Sequence, residues 1–202
     1  QARLKTTLAE AQARLGQADA AQASLAAALQ ARPDHAPALR LQARLAAVGG
    51  DPAGAITRLQ ALLASHPGDA EAWLLMGHLL LHQRSEPAQV LAAWRQALTL
   101  QPDLAAAHAA IVALHLARRD MDAAASQLAQ MRERLPRHPR TLQFDAELAL
   151  ARGDLARAQS LFQALLRALP DEPGLLQSAA LVELRLGAPA QAEQLLALAL
   201  VR

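Results

Sequence analysis

The sequence predicts an all-α protein of about six stacked helix–turn–helix hairpins, and three observations predict it. First, Pro33, Pro67, Pro102, Pro136 and Pro170 follow one another at intervals of 34, 35, 34 and 34 residues. A fixed period of this length marks a repeat array. Second, Gly50-Asp51, Arg119-Asp120 and Gly153-Asp154 fall midway between the prolines, with Gly16 and Gly187 at the same place in the end periods. Third, 53% of the 202 residues are hydrophobic, yet there are only two Trp, two Phe and no Tyr. A core of Ala and Leu suits closely packed helices, because both are strong helix formers and β-branched or aromatic strand formers are scarce.

Each period reads as one hairpin, with spans of about 2–35, 36–69, 70–104, 105–138, 139–172 and 173–202 in a single solenoid. The starts lie near Ala2, Ala36, Ala70, Ala105, Pro139 and Pro173. The first helix of each hairpin ends at the midway mark, where Gly adopts a left-handed cap and Asp caps the helix that follows. The second helix ends at the proline. Asp34, Asp69, Asp103 and Asp171 then follow as expected caps for the next first helix, while Pro136 leads into Arg137-His138-Pro139 instead. Ala21, Ala55, Val90, Ala124, Ala158 and Ala192 fill one small position of the second helices. Four residues on, Leu25, Leu59, Trp94, Leu128, Phe162 and Leu196 supply larger knobs on the same face. The third period carries one extra residue around Ser85-Glu86-Pro87, read as a loop insertion.

Trp73, Gly77 and Leu80, followed by Trp94, Ala97 and Pro102, closely resemble the tetratricopeptide-repeat (TPR) consensus, and the resemblance extends over all six periods. It implies a right-handed TPR superhelix whose first helices line a concave groove where partners dock. Carried over position by position, one ladder of groove residues is Glu10, Arg44, His78, Ala113, Glu147 and Leu181. A second is Thr6, Arg40, Leu74, Ala109, Gln143 and Gln177; a third is Arg14, Val48, His82, Ala117, Ala151 and Arg185. The binding candidates are therefore Glu10, Arg14, Arg40, Arg44, His78, His82, Gln143, Glu147, Gln177 and Arg185. The surface is basic in the second and third repeats and apolar around the fourth. It reads equally as a docking face for a peptide carrying acidic groups or as an ordinary solvated helical face. Gln42 and Asp145 stand where the family has Leu, and both are expected to reach the groove edge. The TPR mode that clamps chaperone carboxylates uses Asn and Lys, whereas this chain has no Asn and a single Lys, Lys5.

Other classes of function find little support. Net charge is +2, from 20 basic and 18 acidic residues, and the basic residues are scattered, so no nucleic-acid footprint forms. No Cys is present, which excludes disulfides and thiolate zinc sites. No apolar run reaches the ~18 residues a bilayer span needs. Phosphate loops, nucleophile elbows and Cys nucleophiles are missing, and the six Ser residues are isolated. Glu71, His78 and His82 can share one helix face, but no HExxH pattern accompanies them, and neither a metal nor another cofactor is expected. His108 and His115 fall at core positions as hydrogen-bonded packing residues. An enzyme is not expected.

Repeats three to six further resemble the PEP-CTERM-system TPR-repeat lipoproteins of bacteria. The resemblance rests on Ala70 to Leu81, Gln127-Leu128, His138-Pro139, Thr141-Leu142 and Phe144, and Ala151-Arg152-Gly153-Asp154. It continues through Leu165-Leu166, Pro170-Asp171, Val182-Glu183-Leu184, Leu186-Gly187 and Gln191-Ala192-Glu193. It implies a lipid-anchored, periplasm-facing scaffold that serves exopolysaccharide export or PEP-CTERM protein sorting in biofilm formation, with protein partners. Two alternatives are an assembly factor of another periplasmic system, such as cytochrome c maturation or polysaccharide synthase export, and direct polysaccharide binding along the groove. Starting at Gln1, the chain reads as a fragment of a longer array. Its last helix, with Leu195, Leu196, Leu198, Leu200 and Val201, is expected to associate end to end.

Overall fold

The computed structural model describes residues 1–201, Val201 by its backbone alone, and these residues form twelve α-helices and no strand. They are α1 (Ala2–Arg14), α2 (Ala18–Ala31), α3 (Ala36–Val48), α4 (Pro52–Ser65), α5 (Ala70–His82) and α6 (Pro87–Leu100). The remainder are α7 (Ala105–Ala117), α8 (Met121–Arg134), α9 (Pro139–Arg152), α10 (Leu155–Ala168), α11 (Pro173–Arg185) and α12 (Pro189–Val201). Each odd-numbered helix packs most extensively on the even-numbered helix that follows it, giving six antiparallel hairpins. The chain divides into two compact units, Gln1–Pro102 with α1–α6 and a second starting at Asp103 with α7–α12. Helices of this length are marginal alone, so their order comes from the faces they bury.

The period-marking prolines set where the second helices stop. A residue before proline is driven out of the helical region. Arg32, His66, Gln101, Leu135 and Leu169 each precede one, and their φ values are −152, −131, −135, −134 and −136°. Inside the hairpins the turn residue takes positive φ, at Gly16, Gly50, Gly153 and Gly187 but also at Arg84 and Arg119. The extra residue of the third hairpin lies in the α5–α6 turn, which runs over four residues, 83–86.

Asp51, Asp120 and Asp154 cap α4, α8 and α10 by accepting from the backbone N–H of Gly54, Ala123 and Arg157. The proline-linked aspartates differ from expectation. Only Asp69 caps, accepting from Ala72 N at 2.9 Å, while α3, α7 and α11 begin at His35, Leu104 and Glu172 without a side-chain cap bond. The cause is one residue of phase. Gly68 lies between Pro67 and Asp69 and moves the carboxylate onto the cap position; Asp34, Asp103 and Asp171 directly follow their prolines and arrive one residue early.

In the first unit, Ala9, Leu25, Ala28, Ala38 and Leu41 form one apolar cluster, and Ala43, Leu59, Leu62, Met76 and Leu79 anchor the next. The second unit is built alike, around Val112, Leu128, Met131 and Phe144 and then Ala146, Phe162, Leu165 and Val182. A small residue on the first helix recurs opposite a large knob on the second: Ala9 with Leu25, Ala43 with Leu59, Val112 with Leu128, Ala146 with Phe162. The third hairpin is the extreme case. The Trp94 indole lies directly on Gly77, where an added Cβ would stand 2.3 Å from Nε1, and Nε1 donates to Leu74 O at 3.2 Å. His108 is buried and meets Gln127 Nε2 through Nδ1 at 2.7 Å; buried His115 lies 3.4 Å from Asp120.

Candidate interaction surfaces

Residues at corresponding positions of successive first helices form a face in each unit, and the sequence-derived candidates lie on it. In the first unit Arg14, Arg44, His78 and His82 are exposed and Glu10 is half-buried. Arg44 Nη2 comes within 3.8 Å of Glu10 Oε1, linking α3 to α1 loosely enough for either group to turn to a ligand. Arg40 is different. Its guanidinium reaches Asp69 Oδ1 at 2.6 Å and Glu71 Oε2 at 2.7 Å, and only 23% of the side chain remains exposed. It ties α3 to the start of α5 and is already neutralised by two carboxylates, which leaves Arg44, only loosely paired with Glu10, as the more available arginine of α3. Thr6, the α1 residue in the same ladder, is 4% exposed, and its hydroxyl donates to Ala2 O.

His78 packs edge-on against Trp94, with ring centroids 5.4 Å apart. One edge of it meets solvent, yet burial of the remainder disfavours the imidazolium and lowers its pKa from 6.5. It is therefore a neutral hydrogen-bonding group at pH 7. His82, one turn on, is exposed. Glu71 is held by Arg40, and no three potential metal ligands converge anywhere among the described residues.

In the second unit Gln143 Nε2 donates to Glu147 Oε1 at 2.9 Å along one turn of α9. Burial raises the Glu147 pKa from 4.5, against the opposing hydrogen bond from Gln143 and the charge of Arg140. Gln177 and Leu181 are exposed on α11. Arg185 donates to Leu150 O at 3.0 Å, a carbonyl that also accepts from Gly153 N, so it ties α11 to the end of α9 as well as facing outward. This face is less charged than that of the first unit, with Ala113, Ala117 and Leu181 between the polar groups.

Gln42 and Asp145 do not reach these faces. They lie on the other side of their helices, in furrows between successive second helices, each floored by the first helix in between. The α2–α4 furrow, of about 430 Å³, holds Gln42 with Asp51 and Arg58. The α8–α10 furrow, of about 270 Å³, holds Asp145, 12% exposed, in contact with Arg132 Nη2 and 3.9 Å from Arg157. Polar side chains replace the family's Leu at these two sites because cationic or polar walls accompany them. The α4–α6 furrow is larger, about 850 Å³, and is lined by Ile56, Leu63, Trp73, Met76 and Leu80 with the glutamines Gln60, Gln89 and Gln96. Sequence reasoning missed these furrows. The available signal was positional: Gln42, Met76 and Asp145 are each the seventh residue of their first helix, so they share one floor position.

Comparison with known proteins agrees with the repeat geometry. The sequence profile described as "Tetratricopeptide repeat" matches residues 6–57, 41–91 and 146–202, together most of the chain. No curated protein matches. The fold is similar to that of a tetratricopeptide repeat protein from Parabacteroides merdae, with TM-score 0.74 and 17% identity over 96% of this chain and 77% of that one. PilW, a type IV pilus biogenesis factor, superposes with TM-score 0.79 and 20% identity over 96% and 90% of the two chains. Pseudomonas aeruginosa pilF does so with TM-score 0.79 and 16% identity over 96% and 88%. At such identities the likeness concerns fold alone. No helix among the described residues is long and apolar enough to cross a membrane.

Proposed function

The chain belongs to the tetratricopeptide-repeat family, and from that premise we propose that it is a non-enzymatic scaffold whose first-helix faces hold a protein or peptide partner. The observation that carries this reading is the open row Arg14, Arg44, His78 and His82 on α1, α3 and α5. Their backbones are fixed by helices rather than by loops, so docking orders side chains but not the chain that carries them. A neutral His78 and a basic Arg44 suit a segment with one acidic group and hydrogen-bond acceptors beside it. The quieter face of the second unit, with Gln143, Glu147 and Gln177, suits an uncharged or weakly basic stretch.

The system served is the bacterial cell envelope, in exopolysaccharide export or PEP-CTERM-linked protein sorting. Support for this comes from the sequence resemblance of repeats three to six, and a periplasm-facing location follows from the same resemblance. An assembly role in another envelope system is the competing reading; the fold likeness to PilW, a type IV pilus biogenesis factor, keeps it in view. Direct polysaccharide binding is disfavoured, since Trp94 is 1% exposed and Trp73 lies in the α4–α6 furrow with its indole N–H bonded to Pro67 O. Sugar sites rely on exposed aromatic platforms, and neither Trp offers one on the first-helix face. Self-association through the exposed leucines of α12 is part of the proposal.

Co-purification from native envelopes tests it. The full-length protein is expected to retain a defined partner that Arg44→Glu and His82→Glu together release. A partner held undiminished by that double variant overturns the first-helix face as the docking surface. Flanking genes outside any envelope system count against the assignment of the system.

A further inference from the structure

We propose that the α4–α6 furrow holds a short segment of another protein in extended conformation, uncharged and with aliphatic side chains directed at the furrow floor. The furrow lies on the other side of the helices from the docking face proposed above, and neither site requires the other.

Three chemical features select that occupant. The first is charge. None of the residues lining the furrow is ionisable, although 19% of the chain is charged. A charged side chain entering it would lose water and gain no counter-ion. The second is the floor, where Leu63, Trp73, Met76 and Leu80 present apolar surface. The Trp73 ring is held in place there, because its Nε1 donates to Pro67 O at 3.1 Å. A fixed aromatic in an apolar cleft is a ready anchor for a docking side chain.

The third feature is a set of amides on both walls, Gln60 on α4 and Gln89 and Gln96 on α6. None of these three side chains bonds to another among the described residues, whereas Gln127, Gln143 and Gln159 are paired with His108, Glu147 and Glu183. The repeat geometry does not impose them. The corresponding positions are Ala26, Gly54 and Ala61 in the α2–α4 furrow, and Ala129, Arg157 and Ala164 in the α8–α10 furrow.

The amides decide between apolar occupants. A helix satisfies its own backbone and an alkyl chain has no polar group to satisfy, so neither uses them. An extended segment carries free N–H and C=O groups along both edges, and a glutamine amide both donates and accepts. The length agrees. Gln89 and Gln96 are two turns apart on α6, about 10 Å, and three extended residues cover about 10 Å. In such a strand residues i and i+2 reach the floor while the one between points to solvent. A second copy has no such segment among the described residues, where stretches between helices are at most four residues long and reverse the chain.

Calorimetric titration of the full 202-residue chain with the capped pentapeptide acetyl-Thr-Leu-Thr-Leu-Thr-amide tests this. Trp73 emission is the local reporter, since Trp94 is 1% exposed. Saturable binding below about 1 mM is expected, with a change in that emission. Ala92→Glu charges an exposed position of the furrow wall, and it and a peptide with both leucines replaced by aspartate are each expected to weaken binding about tenfold or more. Methylating the two leucine N–H groups, or introducing Gln89→Leu/Gln96→Leu, removes backbone contacts and keeps apolar ones, and each is expected to weaken binding about tenfold. Unchanged circular dichroism and melting confirm that the variants fold. No saturation up to about 5 mM overturns the proposal. Binding undiminished by Ala92→Glu places the peptide elsewhere and overturns it too. Binding that tolerates either the methylated peptide or the double glutamine variant overturns the extended occupant, because the furrow then takes side chains without reading a backbone. The first-helix face is unaffected by any of these results, since its own test reads Arg44 and His82.

Discussion

Replacing Gly77 by Ala inserts one methyl group where the structure has no room for it. The new Cβ would stand 2.3, 2.4 and 2.9 Å from Nε1, Cδ1 and Cε2 of Trp94. The ring is 1% exposed, and retreat would break its bond to Leu74 O. Overpacking of this kind costs about 1–3 kcal/mol, and a stranded buried N–H about 1–3 more. The helix propensity of Ala returns up to about 1 kcal/mol. With that return taken in full, the net expectation is a loss of roughly 1–5 kcal/mol. Trp94→Leu alone leaves a cavity and is expected to cost about 3 kcal/mol. The double variant Gly77→Ala/Trp94→Leu reproduces the Ala–Leu pairing of the second hairpin, where Ala43 and Leu59 are both 0% exposed. It is expected to be at least about 2 kcal/mol more stable than the sum of the singles, the signature of two residues in contact. Urea unfolding followed by far-ultraviolet circular dichroism measures all four proteins. Additivity within about 0.5 kcal/mol, or a Gly77→Ala protein as stable as wild type, would refute the reasoning.

Asp69→Asn keeps the α5 cap but removes the charge facing Arg40, and thermal unfolding is expected to show a loss of about 1 kcal/mol; Asp69→Ala removes both and is expected to lose about 2. Arg132→Ala leaves Asp145, 12% exposed, with only the more distant Arg157 and is expected to destabilise by about 1–3 kcal/mol. The pair Arg132→Leu/Asp145→Met copies Leu63 of the second repeat and Met76 of the third and is expected to be neutral or stabilising in the same assay. For Glu147 burial raises the folded pKa above 4.5, so the ionised form is the one folding disfavours. Glu147→Gln is therefore expected to be more stable than wild type above the folded pKa. That advantage shrinks as pH falls toward 4.5 and vanishes below it, as melting temperatures across pH will show. An advantage that grows with acid would contradict the assignment.

The helices and turns were legible in the sequence because their punctuation is local. A proline acts on the residue before it, and a cap acts within one turn. Even there one residue of phase decided the outcome, since Asp69 caps and Asp34 does not. The first-helix ladder was legible as positions but not as available chemistry. Arg40 looks like a ligand-binding arginine until Asp69 and Glu71 of the next hairpin are placed beside it. The furrows were less visible still. Each is bounded by three helices drawn from two hairpins, so Met76 reads as one more core residue until Leu63 and Gln89 are set around it. Asp145 reads as a breach of the family pattern until Arg132 and Arg157 flank it.

Asp69 binds two things at once: the first turn of its own helix and the arginine of the hairpin before. In the statistics of a linear array, intrinsic stability and neighbour coupling are usually separate quantities. Here they share one carboxylate. A fluctuation that frays the start of α5 also weakens its hold on α3, so opening at this junction spreads backward as well as forward. Hydrogen exchange would register that as amides of α3 and α5 opening as one unit, with the third hairpin setting how far a local opening travels.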